Sequence, residues 1–72
     1  MPIAPLDRTD RKILDLLQRD GRLSNAELAE QVSLSPSPCL RRVRALEEAG
    51  VIRQYVALVD PARIGLGLLA YV

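Results

Sequence analysis

Arginine and serine carry most of the chemistry available to this chain, and their spacing aligns them. Ser37, Arg41, Arg44 and Glu48 follow i, i+4, i+7 and i+11 spacing, a single stripe on a helix turning ~100° per residue. Pro38 and Arg42 flank the stripe. A guanidinium offers a planar fork of donors that matches a phosphate or the O6/N7 edge of guanine, and a serine hydroxyl can bond either. Other reactive groups are scarce. There is no His, and Cys39 is the single cysteine, so Cys/His zinc sites and Ser/His or Cys/His nucleophile pairs have no members. No nucleophile stands with a base, which argues against an enzyme, and no metal or cofactor is expected. The stripe also has a plainer reading, as a solvated face with i, i+4 pairing of Arg44 to Glu48.

Such a stripe needs a rigid helix beneath it, and residues 24 to 52 read as two short helices joined by a tight turn. Ser24 and Glu27 form an S-x-x-E capping box at the start of the first of these. Leu28, Ala29 and Val32 make its buried face, with Ala29 small enough for a neighbouring helix to approach closely. Ser33, Leu34 and Ser35 follow as a turn, Leu34 plugging the core. The next helix is marked by Ser35-Pro36 and Ser37-Pro38, proline being tolerated in a first turn; Ser35 and Ser37 are both candidate caps. Cys39, Leu40, Val43 and Leu46 are expected to face inward, and Gly50 ends the helix.

An earlier helix is expected over about residues 8 to 20. Asp7 is a good N-cap and Asp10 adds negative charge to the first turn. Ile13, Leu14, Leu16 and Leu17 form its apolar arc, and Gly21 is the natural left-handed stop. Residues 51 to 59 are rich in β-branched and aromatic side chains and read as an extended strand, stopped at Asp60-Pro61. Tyr55 is expected to pack this segment rather than to offer a stacking platform. Ile64 to Val72 is an apolar run resembling an opening strand.

With 72 residues the chain makes one small domain whose core is modest. The net charge is +1, so any case for nucleic acid rests on where the charges sit. The lone cysteine fits a reducing compartment, the N-terminus lacks a signal-peptide pattern, and no apolar run is long enough to cross a membrane as a helix. A cytoplasmic protein is expected.

The motifs L-D-x-x-D-x-x-I-L, G-R-L-S-N, L-S-x-S-P-C-L-R-R-V and L-E-x-x-G-V-I occur in this order from Leu6 to Ile52. Over about residues 6 to 72 the chain resembles the N-terminal part of the Lrp/AsnC family, the leucine-responsive and asparagine-synthesis transcription regulators. The resemblance implies a mainly α fold, a three-helix winged helix-turn-helix domain followed by a hinge strand and the truncated start of a second α/β domain. The implied organisation is a leader at 1–6, the DNA-binding domain at 7–52, the hinge strand at 53–60, and at 61–72 a linker with the first strand of a ligand-sensing domain that is missing. The implied partner is double-stranded DNA. The intact protein is then a homodimer or higher oligomer, with an amino-acid effector reaching it only through the missing domain. Ser33 departs from the glycine that many members carry in the inter-helix turn; if that position needs positive φ, serine costs on the order of 1 kcal/mol there.

Under that resemblance the helix from Ser35 or Ser37 enters the major groove with its N-terminal half leading. Arg41 is the best candidate for a bidentate guanine contact, and Ser37 and Pro38 sit nearest the groove floor. Arg42, Arg44 and Arg53 are expected at phosphates, as are the amides opened by Ser24 and Asn25. The alternative reading is a winged-helix protein-interaction module without DNA binding.

Overall fold

Reciprocal capping starts the first helix. The computed structural model describes residues 5–65. In it α1 runs Arg8–Arg19. The Asp7 carboxylate accepts from the Asp10 amide at 2.8 Å, and the Asp7 amide donates to Asp10 Oδ2 at 3.3 Å. Each acid therefore satisfies an amide that the helix leaves unpaired. α1 ends one residue before the expected stop. Asp20 leaves the helix extended, at φ −149° and ψ 94°, while its amide still donates to the Leu16 carbonyl. An extended exit does not call for glycine, so Gly21 is not the left-handed cap that the sequence suggested.

The capping box of α2, Asn25–Gln31, forms as expected: Glu27 N–H donates to Ser24 Oγ and Ser24 N–H to Glu27 Oε1. α3 runs Pro36–Glu48 with Ser35 as its N-cap, resolving the choice between the two serines. The Ser35 side chain makes no capping bond, and the second proline removes one of the two amides it could take. A cap bonds the amide of the second or third helical residue, and the third is Pro38, which has none.

The two helices end in the same way. Leu34 N–H donates to the Ala29 carbonyl and Ser33 N–H to that of Glu30; Val51 N–H donates to Leu46 and Gly50 N–H to Glu47. Both are Schellman closures, which need a left-handed residue. That residue is Ser33 at φ 58° after α2 and Gly50 at φ 79° after α3. Ser33 therefore does occupy a positive φ, the condition under which a serine in place of glycine is strained.

The core is built from one or two residues per helix: Ile13 of α1, Leu28 and Ala29 of α2, and Cys39 and Leu46 of α3. Leu6, Leu14, Leu16, Leu17, Leu23, Val32, Leu34, Val43, Val51 and Ile52 pack around them, partly buried. Fully covering side chains such as Ile13, Leu28 and Leu46 contributes ~1.5–3 kcal/mol each. Ala29 and Cys39, both small, sit where α2 meets α3. Leu40 departs from the inward set, being 37% exposed. It lies roughly 100° around the helix from Cys39, at the edge of the buried arc rather than within it.

Beyond Ile52 two expectations change. Residues 53–60, expected as a hinge strand, have no sheet pairing, and no strand occurs among the described residues. A strand needs a partner to take up its amides and carbonyls, and none of the described residues supplies one. Residues Pro61–Ile64, expected to belong to a linker, form a short helix, α4, whose cap Asp60 accepts from the Ala62 amide at 3.0 Å. Asp-Pro can stop a strand, yet it is equally an N-cap followed by proline at the first helical position. The apolar run expected as an opening strand, Ile64 to Val72, has its first residue in α4 instead, and its residues 66–72 lie outside the described residues.

The two closures predict opposite responses to substitution. Ser33→Gly should raise stability by ~1 kcal/mol, because glycine holds the left-handed conformation without the Cβ penalty. Gly50→Ala should lower it by about the same amount. Urea unfolding followed by circular dichroism checks both, and a destabilised Ser33→Gly variant would show that the serine is not strained.

Candidate nucleic-acid interface

The buried arc of α3 decides what its other side can present. With Cys39 and Leu46 held inward, Ser37, Arg41, Arg44 and Glu48 all lie exposed on the opposite side. Among the described residues Arg41 and Arg44 make no ion pair, so the expected alternative of Arg44 bound to Glu48 is not formed. Arg53 is likewise exposed and without an ion pair among the described residues, just beyond the exit of α3. Arg41 and Pro38 line an open groove beside α3 whose far wall includes Leu6 and Asp10.

Arg42 is placed differently from the other arginines. Its Nη1 donates to Asp7 Oδ2 at 2.7 Å and to Asp10 Oδ1 at 3.0 Å, joining α3 to the cap of α1. The Asp10 side chain is only 18% exposed there. This contact keeps the guanidinium protonated more firmly than usual, through the bonds to Asp7 and Asp10. The Asp7 carboxyl is held below the usual carboxylate range, first by the Asp10 amide and then by Arg42. Sequence reasoning put Arg42 at a phosphate and missed this ion pair, although acids at Asp7 and Asp10 and a basic residue on the inward flank of α3 were its components.

Asn25 also has a partner that the sequence did not reveal. Its Nδ2 donates to the Pro36 carbonyl at 2.9 Å, tying the first turn of α2 to the first turn of α3. Its Oδ1 is buried with no donor among the described residues. Ser24 Oγ is engaged as acceptor in the capping box, and the Glu27 carboxyl is held low by the Ser24 amide and hydroxyl. Ser35, Ser37 and Pro38 form the leading end of α3, with both serine side chains exposed.

The segment after α3 is hooked back by Tyr55, whose hydroxyl donates to Glu47 Oε2 at 2.8 Å. Its ring lies against Gly21, 3.8 Å from where a Cβ would stand. Partial burial and then the Glu47 carboxylate push the phenol up to about 12. Tyr55 packs this segment, in line with the expectation from sequence. Burial likewise pushes the Cys39 thiol up, leaving it an unreactive core group. Among the described residues no three His, Cys, Asp or Glu side chains gather to hold a metal, and no helix is long and apolar enough to cross a membrane.

A sequence profile of winged helix-turn-helix DNA-binding domains matches residues 6–53. The leucine-responsive regulatory protein of Escherichia coli is 54% identical over 71 residues, covering 99% of this chain and 43% of that protein. The chain thus spans less than half the length of the curated relatives it matches. Among solved structures, a transcriptional regulator of Neisseria meningitidis in complex with L-Met is 60% identical with a TM-score of 0.82, covering 88% of this chain and 41% of that one. An AsnC family transcriptional regulator from Agrobacterium tumefaciens is 54% identical with a TM-score of 0.79, covering 82% and 39%.

The charges just described give a pH dependence with a definite sign. Because folding depresses the Asp7 carboxyl below its ordinary 3.8, its contribution is present above that value and is lost as pH falls through the folded value. Asp7→Asn should therefore flatten the acid limb of the stability–pH curve, measured by urea midpoints from neutral pH downward. At the alkaline end, the raised Tyr55 phenol favours the fold below pH 10 and loses that effect toward about 12. The tyrosinate absorbance lost in Tyr55→Phe should titrate above 10, and Glu47→Gln should bring it down.

Proposed function

The chain belongs to the winged helix-turn-helix DNA-binding family, among the Lrp/AsnC regulators that it matches, and on that premise we propose that α3 reads the major groove with its N-terminal half leading. The observation that carries this reading is the exposed row of Ser37, Arg41 and Arg44, free of ion pairs among the described residues, on a helix whose opposite face is core. Arg41 bridges a guanine in bidentate fashion, and Ser37 and Pro38 meet the groove floor beside it. Arg44 and Arg53, which form no ion pair among the described residues, hold phosphates on either side.

Ser35, its hydroxyl unused as a cap, is placed to bond a phosphate at the tip of α3. Ser24 is a cap first, but its hydroxyl proton remains available to a second phosphate. Asn25 contributes through its backbone amide at the start of α2, since its side-chain amide N–H is already given to the Pro36 carbonyl. DNA is favoured over a protein-interaction module because the matching profile is one of DNA-binding domains.

For the whole protein the reading is a cytoplasmic regulator of transcription working as a homodimer or higher oligomer, which doubles the contact through two half-sites. The organisation expected from sequence fits this reading, with a DNA-binding unit to residue 52, a hinge at 53–60 and the approach to a sensing domain at 61–72. The L-Met bound to the Neisseria relative supports an amino-acid effector, held outside the DNA-binding unit.

DNA affinity is expected to fall steeply with salt, as for any binding that displaces counterions from phosphates. Arg41→Ala should cost ~1–3 kcal/mol on a selected site and relax preference at one base pair. Fluorescence anisotropy on duplexes carrying single base changes measures both, and an unchanged affinity and preference would remove Arg41 from the reading.

A further inference from the structure

We infer that Arg42 is a positioning residue for DNA recognition rather than a phosphate ligand: through Asp7 and Asp10 it fixes α3 against the cap of α1. This rests on the DNA-binding reading of α3. Three features on one small patch support it.

The first is charge. Arg42 carries +1 and its two partners −2, so the cluster is net −1. A phosphate approaching this guanidinium meets two carboxylates at 2.7 and 3.0 Å from Nη1, and their repulsion offsets the attraction. Arg41 and Arg44 have no such neighbours among the described residues. A phosphate passing along α3 is steered to them and away from Arg42.

The second is where the bonds attach. Asp7 and Asp10 are not loose surface acids. Each is already bound in the reciprocal cap of α1, so the guanidinium is gripped by groups whose own positions are fixed. A charge-assisted pair anchored in this way sets an orientation more firmly than an isolated surface pair does.

The third is location. Asp10, Arg41, Arg42 and Pro38 line the same groove beside α3. Arg42 holds the flank of the helix one residue from the proposed base contact. Releasing it leaves α3 held by the core residues Cys39 and Leu46 and by the ties of Asn25 at its tip and Tyr55 near its exit, and it removes the polar restraint on the flank that faces α1.

The test uses the whole chain with two probes: the tightest duplex recovered by in vitro selection and a mixed-sequence duplex. Arg42→Met and Asp10→Asn are compared with wild type by anisotropy across a salt series. Asn at position 10 keeps an acceptor for the Asp7 amide and removes one of the two carboxylates that Arg42 bonds, leaving the Asp7 contact in place, and thermal melts confirm folding of both variants.

The ratio of selected-site to mixed-sequence affinity should fall on the order of tenfold in Arg42→Met, and by less in Asp10→Asn, which keeps the Asp7 bond. The slope of log affinity against log salt should be unchanged in Arg42→Met. A slope shallower by about one in Arg42→Met, as for a lost phosphate contact, overturns the inference while leaving the DNA reading intact. An unchanged ratio in Arg42→Met also overturns it. If wild type binds neither duplex, the DNA reading falls first and the inference with it.

Discussion

The left-handed backbone at Ser33 is the constraint on which the arrangement of the domain depends. It lets the last carbonyls of α2 be closed by Ser33 and Leu34 and turns the chain so that α3 starts at Pro36. Leu34 is thereby returned to the core beside Ala29, and α2 is brought onto α3 where both carry small residues. With that contact fixed, Cys39 and Leu46 must face inward, and the exposure of Ser37, Arg41 and Arg44 follows without any further device. The conformational strain at Ser33 thus lies in the turn that orients the whole outward face.

Three interactions between side chains and backbone or other side chains then hold this arrangement from outside the core. Arg42 reaches α1, the side-chain amide of Asn25 reaches the first turn of α3, and Tyr55 reaches Glu47 near the end of α3. They restrain α3 at its tip, along one flank and near its exit. A domain with so few fully buried side chains gains little rigidity from packing alone, so polar ties of this kind decide how precisely its exposed face is held. The same ties engage Arg42 Nη1 and the side-chain amide N–H of Asn25 within the domain, whereas Arg41, Arg44 and Arg53 make no ion pair among the described residues.

Local patterns were legible in the sequence wherever the signal was short-range. The Ser24–Glu27 box, the cap at Asp7, the prolines opening α3 and the glycine after it each act within a turn or so, and each appears close to its expected position. The outward row on α3 was legible too, because helical periodicity alone sets it. Its ligand contacts are another matter, since no periodicity states what a side chain touches. The Arg42 ion pairs span 32 and 35 residues, a separation at which sequence offers only a list of opposite charges. Leu40 was misplaced because an apolar residue at the margin of an arc is assigned by neighbours that are visible only in the fold. Asp60-Pro61 misled for a different reason: one dipeptide can both stop a strand on its N-terminal side and start a helix on its C-terminal side.

The two prolines at the head of α3 bear on the thermodynamics of docking. Pro36 and Pro38 fix φ at two of the first three helical positions, so the backbone at the tip of α3 has little freedom left to lose when it meets a ligand. The ordering cost of that turn falls on folding instead of association, and the unfolded chain, itself stiffened there, bears less of it. They also leave Ser37 as the only amide among those three positions, so few donors at the tip have to exchange water for a partner on contact. A leading edge prepared in this way favours recognition by fit of a formed surface over recognition by folding on contact.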